Sequence, residues 1–217
     1  NISPYLNLYQ YPMELDYLEC ETDVPNIVRV DAFIRENNEI FQIPDKVQPN
    51  REAGERLIFL SMGSMGGIDL DLMRKLINSL SKIEHKIIVS KGPLGDELEL
   101  ADNMWGENFL PQTKILRLVD LVITHGGNNS ITESFYYGVP MLVLPFFADQ
   151  HDNAQRLVEV GLSEKANPFT VTQEELLEKI ERIASNVELS KKMKAIGERI
   201  RATNGRKDVV DFVEENI

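Results

Sequence analysis

Two short stretches of this sequence hold residues able to do chemistry. The first is THGGNNSITES, residues 124–134, where an apolar run delivers His125 to a double glycine and a helical pattern follows. A strand that turns through glycines into a helix start presents free N–H groups and the positive end of the helix dipole, which suits an anion. Asn129 and Ser130 could instead cap that helix, and His125 could be an ordinary turn histidine. Glu133, one helical turn further in, suits sugar hydroxyls better than phosphate. The second stretch is PFFADQHDN, residues 145–153. There Asp149 and Gln150 pair a carboxylate with a carboxamide, a combination that accepts from and donates to the edge of a polyol, or simply caps a loop.

A third loop, SMGSMGG at residues 61–67, brings glycines that permit close backbone approach and the Ser64 hydroxyl. It could equally be a flexible turn. A nicotinamide dinucleotide site fits it poorly. The glycines do not follow G-x-G-x-x-G, and the next strand ends in Lys91 rather than an acid for ribose hydroxyls.

These loops need a scaffold, and the alternation of apolar runs supplies one. LIFLSM (57–62), KIIVSK (86–91), NFLP (108–111), LVITHGG (121–127) and MLVLP (141–145) read as strands. Helical spacing is expected over 69–83, in a short piece from Gln112, over 129–137 and over 153–160. From Thr172 onward the pattern is helical, opened by a capping pair of Thr172 and Glu175 and interrupted near Gly205. Alternating strands and helices specify an α/β fold, a Rossmann-like parallel sheet with helices on both faces. Ligands of such sheets sit beyond the carboxyl ends of the strands, where all three loops lie.

Residues 1–35 read as a remnant of a preceding domain and its crossover, with two strand-like runs, LNLYQ and NIVRVDAF, lacking a partner nearby. Residues 36–55 read as a linker, and 56–217 as the ligand-binding domain. The chain reads as the middle of a longer protein.

Composition narrows the partners. With 23 Lys and Arg against 35 Asp and Glu, the net charge of -12 disfavours nucleic acid and anionic membrane surfaces. A phosphate must therefore be held by local backbone dipoles. The single cysteine, Cys20, forms no intrachain disulfide and no cysteine-built zinc site, and reads as inert. The longest apolar stretch, 138–148, is broken by two prolines and falls short of the ~20 residues that span a bilayer. No signal peptide is evident at the start.

Taken together, FLPQTKILRLVDLVITHGGNNSITESFYYGVPMLVLPFFADQ (109–150) resembles the signature of the UDP-glycosyltransferase family: the PQ pair, the THGG turn, the Asn-Ser pair, the Glu, the GVP and the closing DQ. The likeness extends over about residues 50–217. It implies the C-terminal, donor-binding half of a GT-B fold. By position, Phe109 would stack on uracil, where the family usually has Trp, and Gln112 would lie against the nucleoside. Glu133 would hold the ribose hydroxyls. His125, Asn129, Ser130 and Ser64, with the N–H groups of Gly127 and Asn128, would bind the diphosphate, and Asp149 and Gln150 the sugar. The resemblance further implies inverting transfer of a hexose, glucose by the Asp-Gln pair, to a small lipophilic acceptor bound by the other half. No metal or other cofactor is needed for that chemistry, and no catalytic residue is assigned within this chain. The family's general base belongs to the N-terminal half. His85 is expected on a helix–strand turn, and His151 beside the sugar without serving as base. Donor binding without transfer is the expectation for this chain, in a cytoplasmic setting unless a C-terminal membrane span follows. A donor-binding subunit of a two-chain enzyme and a non-catalytic nucleotide-binding module are the alternatives.

Overall fold

A computed structural model describes residues 2–17, 26–34, 40–203 and 205–216. Its framework is a six-stranded, all-parallel sheet built from β3 (Leu57–Ser61), β4 (Lys86–Ser90), β5 (Met104–Glu107), β6 (Leu121–Thr124), β7 (Met141–Val143) and β8 (Ser163–Lys165). Before them comes a smaller sheet of β1 (Asn7–Gln10) and β2 (Ile27–Val30). The helices are α1 (Gly63–Gly66), α2 (Leu70–Leu80), α3 (Gln112–Ile115), α4 (Asn128–Tyr137), α5 (Asp149–Glu159), α6 (Gln173–Ala184), α7 (Val187–Ala202) and α8 (Gly205–Asn216).

Strand order decides where a ligand goes. The sheet runs β5-β4-β3-β6-β7-β8, so the chain builds outward from β3 in one direction, then returns and builds outward from β6 in the other. The reversal lies between β3 and β6, paired from Ile58↔Leu121 to Ser61↔Thr124. In doubly wound sheets this switch point opens a crevice, because the following helices leave on opposite faces. The glycine-rich loop at 61–67 and the THGG turn leave from these two strands.

Burial follows from this arrangement. Helices cover both faces, so β3 has no solvent side and all five of its residues are buried. Phe59 and Phe135 are fully enclosed. Gly138 ends α4 in the left-handed region at φ 69, and a Cβ there would lie 2.8 Å from the Lys194 Cα of α7. The GVP triplet thus marks a helix stop and a close crossing of two helices.

Three expectations change. The strand read at 108–111 lies earlier, at Met104–Glu107, and Phe109 stands on the surface. The helix read from Asn153 begins at Asp149, and β8 extends the sheet by a polar edge strand. The two N-terminal runs do have a partner: β1 and β2 pair in parallel with each other, Asn7↔Ile27 to Gln10↔Val30.

That small sheet is fastened to the domain. Arg199 of α7 donates to Glu14 at 2.7 and 2.8 Å and to Asp31 at 2.8 and 3.0 Å. Arg156 of α5 donates to the Leu15 carbonyl at 2.9 Å, and the Leu15 side chain is fully buried. Burial alone would push the Asp31 carboxyl up. Hydrogen bonds from Arg199 and the Met13 N–H, with the nearby arginine charges, outweigh it and hold the pKa below the usual carboxylate value. In the stretch read as linker, residues 40–55 lie along the sheet margin, with Val47 fully buried and Phe41 6.0 Å from Trp105. Cys20 and residues 36–39 lie outside the described residues.

Candidate functional site

At the switch point the His125 ring is held between two loops. A Cβ on Gly63 would sit 2.8 Å from His125 Cε1, and one on Gly127 would sit 2.6 Å from Nε2. Only glycine leaves room on either side. Gly63 also adopts φ 68, which side chains oppose. The ring therefore joins the loop after β3 to the turn after β6, and Ser64 stands exposed one residue beyond Gly63.

The helix that follows is open at its start. Gly127 is the N-cap of α4, with no side-chain hydrogen bond to the helix. Asn129 and Ser130 do not cap it, so their side chains do not satisfy the first N–H groups, including those of Asn128 and Asn129. Dipole and donors together make this end receptive to a negative group. Asn129 is exposed and Ser130 half-buried.

Glu133, one turn in, is met by Gln112. The Gln112 carboxamide nitrogen donates to Glu133 Oε2 at 2.6 Å, while its oxygen accepts from the Ser61 hydroxyl at 3.2 Å. A chain of side chains thus runs from the end of β3 through α3 to α4. Ser61 was not picked out from the sequence, and 51 residues separate it from its partner, too far for any local spacing to show. Phe109 is 74% exposed three positions before Gln112, with an aromatic face open to solvent.

The loop at residues 145–153 divides its two candidate residues. Asp149 is exposed at the first position of α5 and acts on His125 electrostatically. Gln150 turns inward at 4% exposure, its side-chain oxygen accepting from the N–H groups of Phe146 at 2.9 Å and Phe147 at 3.3 Å. It ties down the loop that carries Asp149. Just before them Ala148 adopts φ 53, a strained conformation for a residue with a side chain. Asn153, also missed from the sequence, donates to the Gly126 carbonyl at 3.1 Å and to Asp149 at 3.3 Å, and accepts from the Tyr11 hydroxyl at 3.0 Å. It links the turn, the acidic loop and the N-terminal segment.

Residues 24–195 match the family model described as "UDP-glucoronosyl and UDP-glucosyl transferase". The chain belongs to this family. Among UDP-glycosyltransferase relatives, "Uncharacterized UDP-glucosyltransferase YojK" of Bacillus subtilis is 28% identical over 166 residues, 75% of this chain and 41% of the relative. Zeaxanthin glucosyltransferase of Pantoea ananas is 28% identical over 163 residues, 73% of this chain and 38% of the relative. In structure the chain resembles the glycosyltransferase of kitacinnamycin, with a TM-score of 0.82 at 23% identity over 98% of this chain and 55% of that one. Spinosyn rhamnosyltransferase SpnG complexed with thymidine diphosphate gives 0.76 at 19% identity over 98% and 57%. The fold is that of one part of a GT-B glycosyltransferase. The chain spans about two fifths of these two curated relatives and just over half of the two solved chains.

Electrostatics set what His125 can be in this member of the UDP-glycosyltransferase family. Burial lowers its pKa below the ordinary histidine value, against opposing pulls from Asp149 and a backbone hydrogen bond with Ser61. The lowered value favours the neutral ring, which can donate a hydrogen bond without carrying charge, while the positive end of the helix dipole beside it belongs to α4. Of the other histidines, His85 is buried between α2 and β4, accepting from the Arg56 N–H at 3.3 Å, and His151 is exposed with Nε2 3.2 Å from the Phe146 carbonyl oxygen. Among the described residues no group of three His, Cys, Asp or Glu could hold a metal ion, and no helix is long and apolar enough to cross a membrane.

Proposed function

We propose that this chain binds a UDP-sugar and supplies the donor-binding part of an inverting glycosyltransferase. In this reading the diphosphate rests on the start of α4, against the Gly127 and Asn128 N–H groups, Asn129, Ser130, His125 and Ser64. Glu133, already oriented by Gln112, accepts from the ribose hydroxyls, and the face of Phe109 stacks on uracil. Asp149 receives the sugar hydroxyls, with Gln150 fixing the loop that presents it. The observation that carries the reading is the uncapped helix start beside His125, at the strand-order reversal of the sheet.

The chemistry follows from that placement. An acceptor hydroxyl, losing its proton to a general base, attacks the anomeric carbon as UDP departs. The charge developing on the leaving diphosphate is stabilised by dipoles already in position. His125 is engaged with the diphosphate, so the base is placed in the other half of such an enzyme. The chain alone then binds donor without transferring it. Glucose is the proposed sugar and a small lipophilic alcohol the proposed acceptor, in keeping with the names of the two glucosyltransferase relatives.

Calorimetric titration with UDP, UDP-glucose, UDP-glucuronate and thymidine diphosphate tests this reading. UDP and UDP-glucose are expected to bind, and thymidine diphosphate more weakly, since it lacks the 2′-hydroxyl that Glu133 would accept from. Absence of any nucleotide binding would remove the proposal.

A further inference from the structure

A cavity of about 600 Å³, sharing no lining residue with the donor corner, lies between α3, the ends of α4 and α7, the start of α8 and the residues following β2. Its volume is within the range of small-molecule sites. Among the described residues, the cations lining it are Lys114, Arg117, Arg201 and Arg206, of which Arg206 is already engaged, and the acid is Asp31. That acid is already engaged twice by Arg199. Lys114, Arg117 and Arg201 have no acidic partner among the described residues.

In a chain of net charge -12, such a gathering runs against the overall balance. Like charges around one space repel, and a bound anion would relieve that repulsion. Two of the guanidinium groups, though exposed, also rest against neighbouring rings. Arg117 lies over the Tyr137 ring at 5.2 Å and donates to its hydroxyl at 3.4 Å. Arg201 lies over Tyr136 at 5.9 Å and donates to the Tyr136 carbonyl. The two tyrosine rings meet edge to face at 5.0 Å. Guanidinium groups held in this way meet a phosphate with less loss of side-chain freedom than lysines on an open surface.

We infer that this cavity is a second anion site, which takes a phosphate monoester independently of the donor corner. The two sites share an element, since α3 directs Gln112 to the donor corner and Lys114 to this cavity. The phosphate could belong to a soluble sugar phosphate or to a phospholipid headgroup, and the two are separable by experiment.

The test uses the protein saturated with UDP, so that the donor corner is occupied. Glucose 6-phosphate is titrated by calorimetry, and co-flotation is measured with phosphatidylcholine vesicles carrying phosphatidic acid. Binding of the soluble ester alone assigns a metabolite, and binding to the vesicles assigns a lipid headgroup. Either is expected to weaken with added salt and to fall about tenfold or more in a Lys114→Glu, Arg117→Glu protein that still binds UDP normally. Lys114→Gln, which leaves the Arg117–Tyr137 contact intact, should show a smaller loss in the same direction. The inference is overturned if neither probe binds, if the charge reversals leave binding unchanged, or if His125→Ala abolishes it. The last result would return the anion to the donor corner.

Discussion

The helices of ten or more residues whose starts are described begin in two different ways. α2, α6 and α7 each start with a side chain accepting from their own backbone: Asp69 from the Leu72 N–H at 3.0 Å, Thr172 from Glu175 at 3.1 Å and Asn186 from Leu189 at 2.9 Å. α4 and α5 start with Gly127 and Ala148, and neither has a side-chain cap. The capped helices satisfy their first turns internally and serve the core. The uncapped pair start at the THGG turn and the ADQ loop, where the sequence carries its donors and acceptors. In the proposed reading, the N–H groups left uncapped at these starts are kept for a ligand.

That contrast can be broken by substitution. The largest effect is expected from His125→Ala, which removes a donor to a charged group and the ring that joins two loops. UDP affinity should fall by about 10- to 100-fold. Unchanged affinity by calorimetry would place the diphosphate elsewhere. Arg199→Ala should cost about 1–2 kcal/mol of stability in denaturant unfolding, because it releases Glu14 and Asp31 together while leaving the donor corner intact. The Asp31 share has a pH signature. Its folded pKa lies below the unfolded one, so the stabilisation is present above the unfolded value near 3.8 and is lost as pH falls through the lowered folded value. The difference between native and Arg199→Ala proteins should therefore shrink under strongly acidic conditions.

Smaller effects bear on the two kinds of helix start. Thr172→Ala should destabilise the protein by about 1 kcal/mol without altering UDP affinity. Asn128→Asp should do the reverse. A carboxylate in the first turn of α4 stabilises the free protein by about 0.5 kcal/mol and weakens UDP by repulsion. If Asn128→Asp left UDP binding untouched, the two kinds of helix start would be functionally equivalent.

What the sequence disclosed depended on how local the signal was. β3 and β6 are buried on both faces and so read as unbroken apolar runs, and the Thr172 cap was visible as a four-residue pattern. β8, with the sequence SEK, has no apolar signal. β5 contains Gly106, where a Cβ would lie 2.1 Å from the Val89 carbonyl oxygen, so close packing against β4 removed the side chain that would have marked the strand. The site residues were legible one loop at a time. Their assembly was not, because the adjacency of β3 and β6, the Ser61–Gln112–Glu133 chain and the Asn153 bridge to Tyr11 all join residues distant in sequence. Gln150 shows the limit most clearly, since residue type alone does not tell whether a carboxamide turns toward solvent or into its own loop.

The central claim is that a diphosphate is cradled where β6 gives way to α4. A crystal of this chain grown with UDP measures it directly. The nucleotide should show its phosphate oxygens within hydrogen-bonding distance of the Asn128 and Asn129 N–H groups and His125, with the ribose against Glu133. UDP bound at any other surface, with the start of α4 facing only water, would contradict the account.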